Sequence, residues 1–344
     1  MLAGLVLSAC GRTDAGARAD RLFADPARHL MDTGVREDVR RDAALGIVTA
    51  ARVSESGRHV VVLDFVDPYV KVFDGQGRFE RAFLRPGRGP GEARFPFALA
   101  LSGDTAIFVG DQTGRLMVFG FDGVLLREAT STGMSILAAA AGCADDWLVY
   151  GPRFVGGGKA PTWLHRIWLG EHGTFRSEDA FPDRQASERL PHGVAYGLVS
   201  DGRRMLAWHT LGAVNRLAAW NCGEGAPRLG AGVASEYGKG VEARRIPAGG
   251  MGMVISAGAR ARGGMAAVFG GVVVAEQVTG EEPGSVTTEL ILRREDGTHR
   301  TVVVPGAYSL ADSRPGVGIL VSTSEPVPHV FLVSERDLLA LFPP

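Results

Sequence analysis

Cysteine, asparagine and net charge are all scarce in this sequence, and each scarcity closes a functional class. Three cysteines, at positions 10, 143 and 222, have no spacing that matches a zinc or dithiol redox motif. A formal net charge of -1, from 37 basic and 38 acidic side chains, gives no overall field to draw in nucleic acid or an anionic membrane surface. Any charged site is therefore local. No stretch reaches the ~20 consecutive apolar residues of a bilayer-crossing helix. HExxH, GxSxG and SxxK signatures do not occur, and the eight histidines are scattered without ligand spacing. Only Asn215 and Asn221 are available to a metal site that draws on amide ligands. What the chain does have is glycine, 48 residues in 344, and a hydrophobic content of 45%. That is material for a buried core with many tight turns between short elements, an all-β composition.

The first residues, MLAGLVLSACGRTD, are apolar up to a small residue before cysteine. Leu7-Ser8-Ala9-Cys10 resembles the lipobox of bacterial lipoproteins. The resemblance implies cleavage before Cys10, acylation of its thiol, and a mature protein held on a membrane of the bacterial cell envelope by its acyl chains, outside the cytoplasm. The stretch departs from the family pattern in having no Lys or Arg before Cys10, so the full leader is expected to begin upstream of Met1. Residues 1–27 are accordingly expected to be signal remnant and tether. In an oxidising compartment Cys143 and Cys222 either pair or remain separate buried thiols, and the sequence allows both.

Internal repetition carries the fold. HVVVLDFVDPYVKVFDGQGRFERAF from His59 and TAIFVGDQTGRLMVFGFDGVLLREA from Thr105 share one order: an apolar strand ending in Asp, a polar loop, a second strand, a glycine turn, a third strand. Phe73 and Phe119 are about 46 residues apart and Asp64 and Asp111 about 47, so one unit length holds at two places. Alternation in YVKVFD and RLMVFGF predicts strands with one face buried against a neighbouring sheet. Weaker copies begin at Trp147, Arg203, Val272 and Val317. Turn glycines recur at Gly77, Gly123, Gly173, Gly223 and Gly297, where positive φ favours a residue without Cβ. The pattern predicts a six-bladed β-propeller of four-stranded antiparallel blades over residues 28–344, with an insertion near 226–264 that includes a short helix around Val241 to Arg245. Innermost strands are expected at AARVSES, FALALSG, SILAAAAG, GVAYGLVS, GGMAAVFG and AYSLADS. RHLMD or LLALF is expected to complete the last blade.

Gly87-Arg88-Gly89-Pro90-Gly91-Glu92, followed by Phe95-Pro96, is similar to a G-x-G-P-G-E motif in exported six-bladed propellers of the NHL-repeat-like and TolB-like type, common among bacterial lipoproteins. The resemblance implies fold and compartment; most such proteins have no assigned activity. In a propeller this stretch links the outer strand of one blade to the inner strand of the next, on the face where ligands usually meet the fold. Its glycines permit amide groups to converge on an anion, with Arg85, Arg88 and Arg94 as bidentate donors. The alternative is a tight crossover in which Glu92 pairs with a neighbouring arginine. Asp64, Asp67 and Asp111 are candidate ligands for a hard cation such as calcium, or caps of their own turns. His209 and Glu276 form the best acid and base pair on the same rim.

Two functions follow as expectations. One is a non-enzymatic binding module for a small molecule, glycan, peptide or envelope protein, with Arg85, Arg88, Arg94, Asp64, Asp67, Asp111, His209 and Glu276 as candidate contacts. It needs no resident cofactor and no nucleic acid, and meets the membrane through its lipid anchor alone. The other is a metal-dependent propeller lyase or lactone hydrolase with its site at the channel mouth.

Overall fold

The structure is a computed structural model that describes residues 14–23, 41–129, 133–142, 146–153, 162–170, 174–179, 197–200, 204–211, 214–222, 228–229, 233–234, 241–245, 251–255, 260–282, 284–323 and 328–342. It is all-β apart from short helices. Strands Val48–Val53, His59–Asp64, Val70–Asp74 and Phe79–Phe83 form an antiparallel sheet in chain order. The second sheet repeats this plan from Pro96–Ser102 to Leu125–Ala129, and the third from Ala138–Ala141 to Phe175–Asp179. A fourth begins at Gly197–Ser200 and ends with two short strands, Arg228–Leu229 and Val233–Ala234, both paired to Val214–Asn221. The last seven strands form two meanders joined at their first strands, Arg260–Val268 and Tyr308–Arg314, by one parallel bridge between Gly264 and Leu310.

The first strand of each sheet lies against the first strand of its neighbours. Val48–Val53 touches both Pro96–Ser102 and Tyr308–Arg314, and Ala138–Ala141 and Gly197–Ser200 continue the series to Arg260–Val268. Small residues make this crowding possible. A Cβ on Gly264, which sits at φ +84°, would fall 2.2 Å from the Leu310 carbonyl oxygen. This radial arrangement of antiparallel sheets is that of a β-propeller.

Apolar clusters fill the spaces between successive sheets. Val61 and Leu63 pack with Leu99 and Val109 of the second sheet, while Val60 and Val62 on the opposite face meet Leu320 and Val330 of the last. His59–Asp64 is therefore buried on both faces, as is Val70–Asp74, in which Val70, Lys71, Val72 and Phe73 are all buried. The one-sided burial expected from alternation is corrected here: a sheet between two others presents no solvent face, and a continuous apolar run meets that demand. Each fully buried Val or Leu contributes about 1.5–3 kcal/mol.

Several boundaries differ from expectation. Val241–Arg245 is a strand, paired with Met251–Ile255, rather than a helix; β-branched Val241 opposite Ile255 starts the ladder. LLALF is not a strand. Ser334 caps the helix Glu335–Leu339 by accepting a hydrogen bond from the Asp337 amide (3.1 Å), and Leu338, Leu341 and Phe342 are buried beside Phe331. The last meander has three strands among the described residues, and RHLMD lies outside them. Within the segment expected to be tether, Asp14–Phe23 is a helix whose Leu22 and Phe23 are buried, Phe23 stacking on Tyr308 at 4.7 Å. Turn glycines Gly77, Gly123 and Gly297 have φ of 79°, 83° and 87°, as the sequence requires; Gly173 and Gly223 lie outside the described residues.

Candidate functional site

The Gly-Pro loop joins the first sheet to the second, and its backbone closes on itself. Arg85–Pro86 and Glu92–Ala93 pair as two-residue parallel strands. The Gly87 amide donates to the Ala93 carbonyl (3.1 Å), Gly89 to Oε2 of Glu92 (2.7 Å) and Gly91 to Oε2 of Glu128 (3.3 Å). The cradle thus already holds carboxylates of its own chain. A Cβ at Gly87 would sit 1.9 Å from Glu92 Oε2, so glycine here makes room for that carboxylate. Arg115 braces the loop by donating to the Glu92 carbonyl (2.8 Å) and pairing with Glu128. The crossover reading holds with one change: Glu92 is held by an amide rather than by an arginine.

Arg85, Arg88 and Arg94 are exposed, and none makes a side-chain hydrogen bond or ion pair among the described residues. They differ in this from Arg115, whose side chain the loop uses.

Asp64 and Asp111 are both fully buried at the ends of their strands. Asp64 accepts from the amides of Gly46 (2.7 Å), Ile47 (2.8 Å) and Val66 (3.1 Å) and from Nζ of buried Lys71 (2.6 Å). Burial pushes its pKa upward, but the Lys71 and amide hydrogen bonds outweigh that and hold the carboxyl below its ordinary value. Asp111 accepts from Thr113 and Arg115 within its own turn (2.7 to 3.0 Å) and from the Arg94 amide (3.1 Å). Both carboxylates tie the end of one strand to the residues entering the innermost strand of the same sheet. They are turn caps with every oxygen engaged, and they do not meet Asp67, which is exposed. Among the described residues no group of three or more His, Cys, Asp or Glu side chains is gathered for a metal ion.

Glu276 is not a rim base. It is buried in Gly271–Thr279 and pairs with Arg260 (3.3 Å), which binds Glu289 through both terminal nitrogens at 2.6 and 3.2 Å. His209 stands in Arg204–Leu211 opposite Arg216, and its side chain lies outside what is described.

What the sequence reading missed is an aromatic cluster beside the arginines. Phe65 lies 6.2 Å from Phe95, 5.6 Å from Phe97 and 6.4 Å from Tyr69, ring centre to ring centre. Phe95 is 54% exposed, and Ile47 and Val66 nearby are 61% and 48% exposed. Phe95 also has φ +53°, a region that non-glycine residues rarely adopt. Hydrogen bonds on both sides hold it there: the Arg94 amide to Asp111, and the Gln112 amide to the Phe95 carbonyl (3.2 Å). The available signal was the loop DFVDPY, whose Phe65 and Tyr69 replace the polar residues of DQTGR in the next sheet. Burial, with the Asp67 charge added, pushes the Tyr69 phenol above its ordinary pKa.

Two clefts meet at Arg85. One, of about 480 Å³, is lined by Leu45, Val66, Pro68 and Arg85, with Asp42 and Asp67 at its edge. The other, of about 420 Å³, is lined by Phe83, Leu84, Phe119, Leu125, Glu92 and again Arg85. The structure so brings Arg85 and Asp67 to one cleft, and Arg94 beside Phe95.

No family model matches the chain, and no curated protein matches it. Among solved structures it is similar to a member of the DUF4221 family from Bacteroides vulgatus, with 12% identity and a TM-score of 0.57 over 85% of this chain and 93% of that one. A Bacteroides fragilis protein described as exported aligns with 10% identity and a TM-score of 0.54, over 83% and 82%. Hydrazine synthase from Kuenenia stuttgartiensis aligns with 10% identity and a TM-score of 0.51, over 84% and 76%. At these identities the likeness concerns the fold alone.

Proposed function

We propose that this chain is a lipid-anchored, extracytoplasmic β-propeller of six blades whose rim between the first two sheets binds a partner without catalysing a reaction. The blade count is supported by the run of innermost strands, which returns from Tyr308–Arg314 to Val48–Val53. Export is supported by the lipobox and by the disulfide at Cys222, a bond that persists in oxidising compartments. Both other cysteines lie outside the described residues.

The observation that carries the binding reading is Phe95: an exposed ring on a backbone held at positive φ, beside arginines that form no ion pair among the described residues. Backbone strain of this kind costs on the order of 1–3 kcal/mol and persists where function needs it. Aromatic and arginine side chains also dominate the energetics of protein contact surfaces. The lyase or hydrolase reading loses Asp64 and Asp111 as ligands, since both carboxylates are committed inside the fold.

A photo-crosslinking residue at position 95 should capture a partner in cells, and Arg88→Ala with Arg94→Ala should reduce that capture severalfold. Phe95→Gly should abolish binding while the melting temperature holds or rises, because glycine relieves the strained φ. Capture unaffected by the arginine substitutions, or a melting temperature more than about 5 °C lower in Phe95→Gly, would make the loop scaffold alone. For the anchor, labelled palmitate should enter the wild-type protein and not Cys10→Ser; incorporation that persists in Cys10→Ser disproves it.

A further inference from the structure

We infer that the rim's partner is an extended acidic segment of another protein, which sets an Asp or Glu carboxylate on Arg85 and an apolar side chain in the cleft on either side. The inference deepens the binding reading above and rests on it.

Arg85 is the shared wall of the two clefts. Its guanidinium is exposed and has no hydrogen-bond or ion-pair partner among the described residues. A planar fork of this kind recognises a carboxylate through two parallel charge-assisted hydrogen bonds. The clefts it divides have mixed walls that include apolar side chains, Leu45, Val66 and Pro68 on one side and Phe83, Phe119 and Leu125 on the other. A compact small molecule fills one such cleft. An extended chain, with side chains spaced along it, spans an arginine and enters both.

The surrounding charge favours the same occupant. Arg88 and Arg94 add two exposed cations without partners among the described residues, whereas the carboxylates of the loop's own hydrogen bonds are engaged, Glu92 by Gly89 and Glu128 by Arg115 and Gly91. Asp42 and Asp67 do line the Leu45 cleft. They exclude a second carboxylate there, so the acid belongs at Arg85 and the residue entering that cleft is apolar or basic. Polarity along the bound segment follows: an uncharged or basic side chain toward Asp67, the acid on Arg85, an apolar side chain toward Leu125.

Phage-displayed random dodecapeptides, panned on the full chain, test this. Enriched sequences should share an Asp or Glu flanked by Leu, Phe or Met. A labelled synthetic peptide of that type should bind with an affinity that falls about tenfold in Arg85→Ala and further in Arg85→Glu. The melting temperature should change little, since the Arg85 side chain makes no hydrogen bond or ion pair among the described residues. Failure to enrich any peptide, enrichment without an acid, or equal binding by Arg85→Ala overturns the inference. Binding of heparin or polygalacturonate that Arg85→Ala abolishes, with no peptide enriched, overturns it in favour of an anionic glycan. None of these results disturbs the binding rim itself, which falls on the separate tests above, capture at position 95 that ignores Arg88 and Arg94 or a destabilised Phe95→Gly.

Discussion

Asp64→Ala should destabilise the fold by about 3–5 kcal/mol, the cost of stripping a buried charge of its partner. Lys71 is 1% exposed and would lose the carboxylate 2.6 Å away, its buried partner. The amides of Gly46, Ile47 and Val66 would lose their acceptor at the same time. Lys71→Met should cost less, because Asp64 retains those three amide donors and a thioether side chain fills the same space. Denaturant unfolding of the two variants checks the order, and a cost below about 1 kcal/mol for Asp64→Ala would mean that water reaches the pair.

The same pair sets a pH dependence. Asp64 has a folded pKa below its ordinary value of 3.8, so its contribution is present above that value and is lost as pH falls through the folded pKa. Wild-type stability should therefore decline in acid below about pH 4, and the gap between wild type and Asp64→Ala should narrow as it does. A gap that stays constant from neutral pH to pH 2 would contradict the ion pair as its source.

Much of this fold was legible in the sequence, because a propeller repeats one solution and repetition averages out local noise. Asp64 and Asp111 recur at the unit length since each caps the same corner of its sheet, and Gly77, Gly123 and Gly297 recur because the same turn needs positive φ. Even the innermost strands, the weakest in pattern, were readable from their small residues. Pattern failed where a segment answers to its terminus instead of to the repeat. LLALF is an unbroken apolar run that suits a buried strand, but Ser334 caps a helix that takes in its first two residues. Glu276 shows the opposite failure. It ends an apolar run and looks like a loop acid, yet Arg260 reaches it from the neighbouring strand, and sequence spacing does not report a cross-strand partner. The candidate site was half legible: arginine and glycine announced a loop with a role, while the ring cluster depends on Phe65, Phe95 and Phe97, which come together only when two blades meet.

Arg52→Met should cost about 3 kcal/mol or more, with the loss concentrated where the first and last sheets meet. Arg52 is buried and burial lowers its pKa, against the opposing pull of Asp312. Desolvation alone would make a hydrophobic replacement harmless or stabilising. The hydrogen bonds decide otherwise. Its guanidinium donates to the carbonyls of Ala51 (2.8 Å) and Ala139 (2.7 Å) and to that of Ala311, uniting the innermost strands of the first, third and last sheets. An innermost strand has no neighbour toward the axis, so carbonyls on that edge need an acceptor's partner from elsewhere, and each one left unpaired costs about 1–3 kcal/mol. Two further bonds continue the seam, the Val53 amide to Asp312 (3.0 Å) and Arg314 to the Val53 carbonyl (3.2 Å). These join residues about 260 apart in the chain, so the first and last sheets are held by polar bonds at the axis as well as by Val60, Val62, Leu320 and Val330. Hydrogen exchange should accelerate in Val53 and its neighbours in Arg52→Met and remain slow around Phe108 of the second sheet. Uniform acceleration, or an unchanged unfolding free energy, would mean that apolar packing closes the ring without this guanidinium.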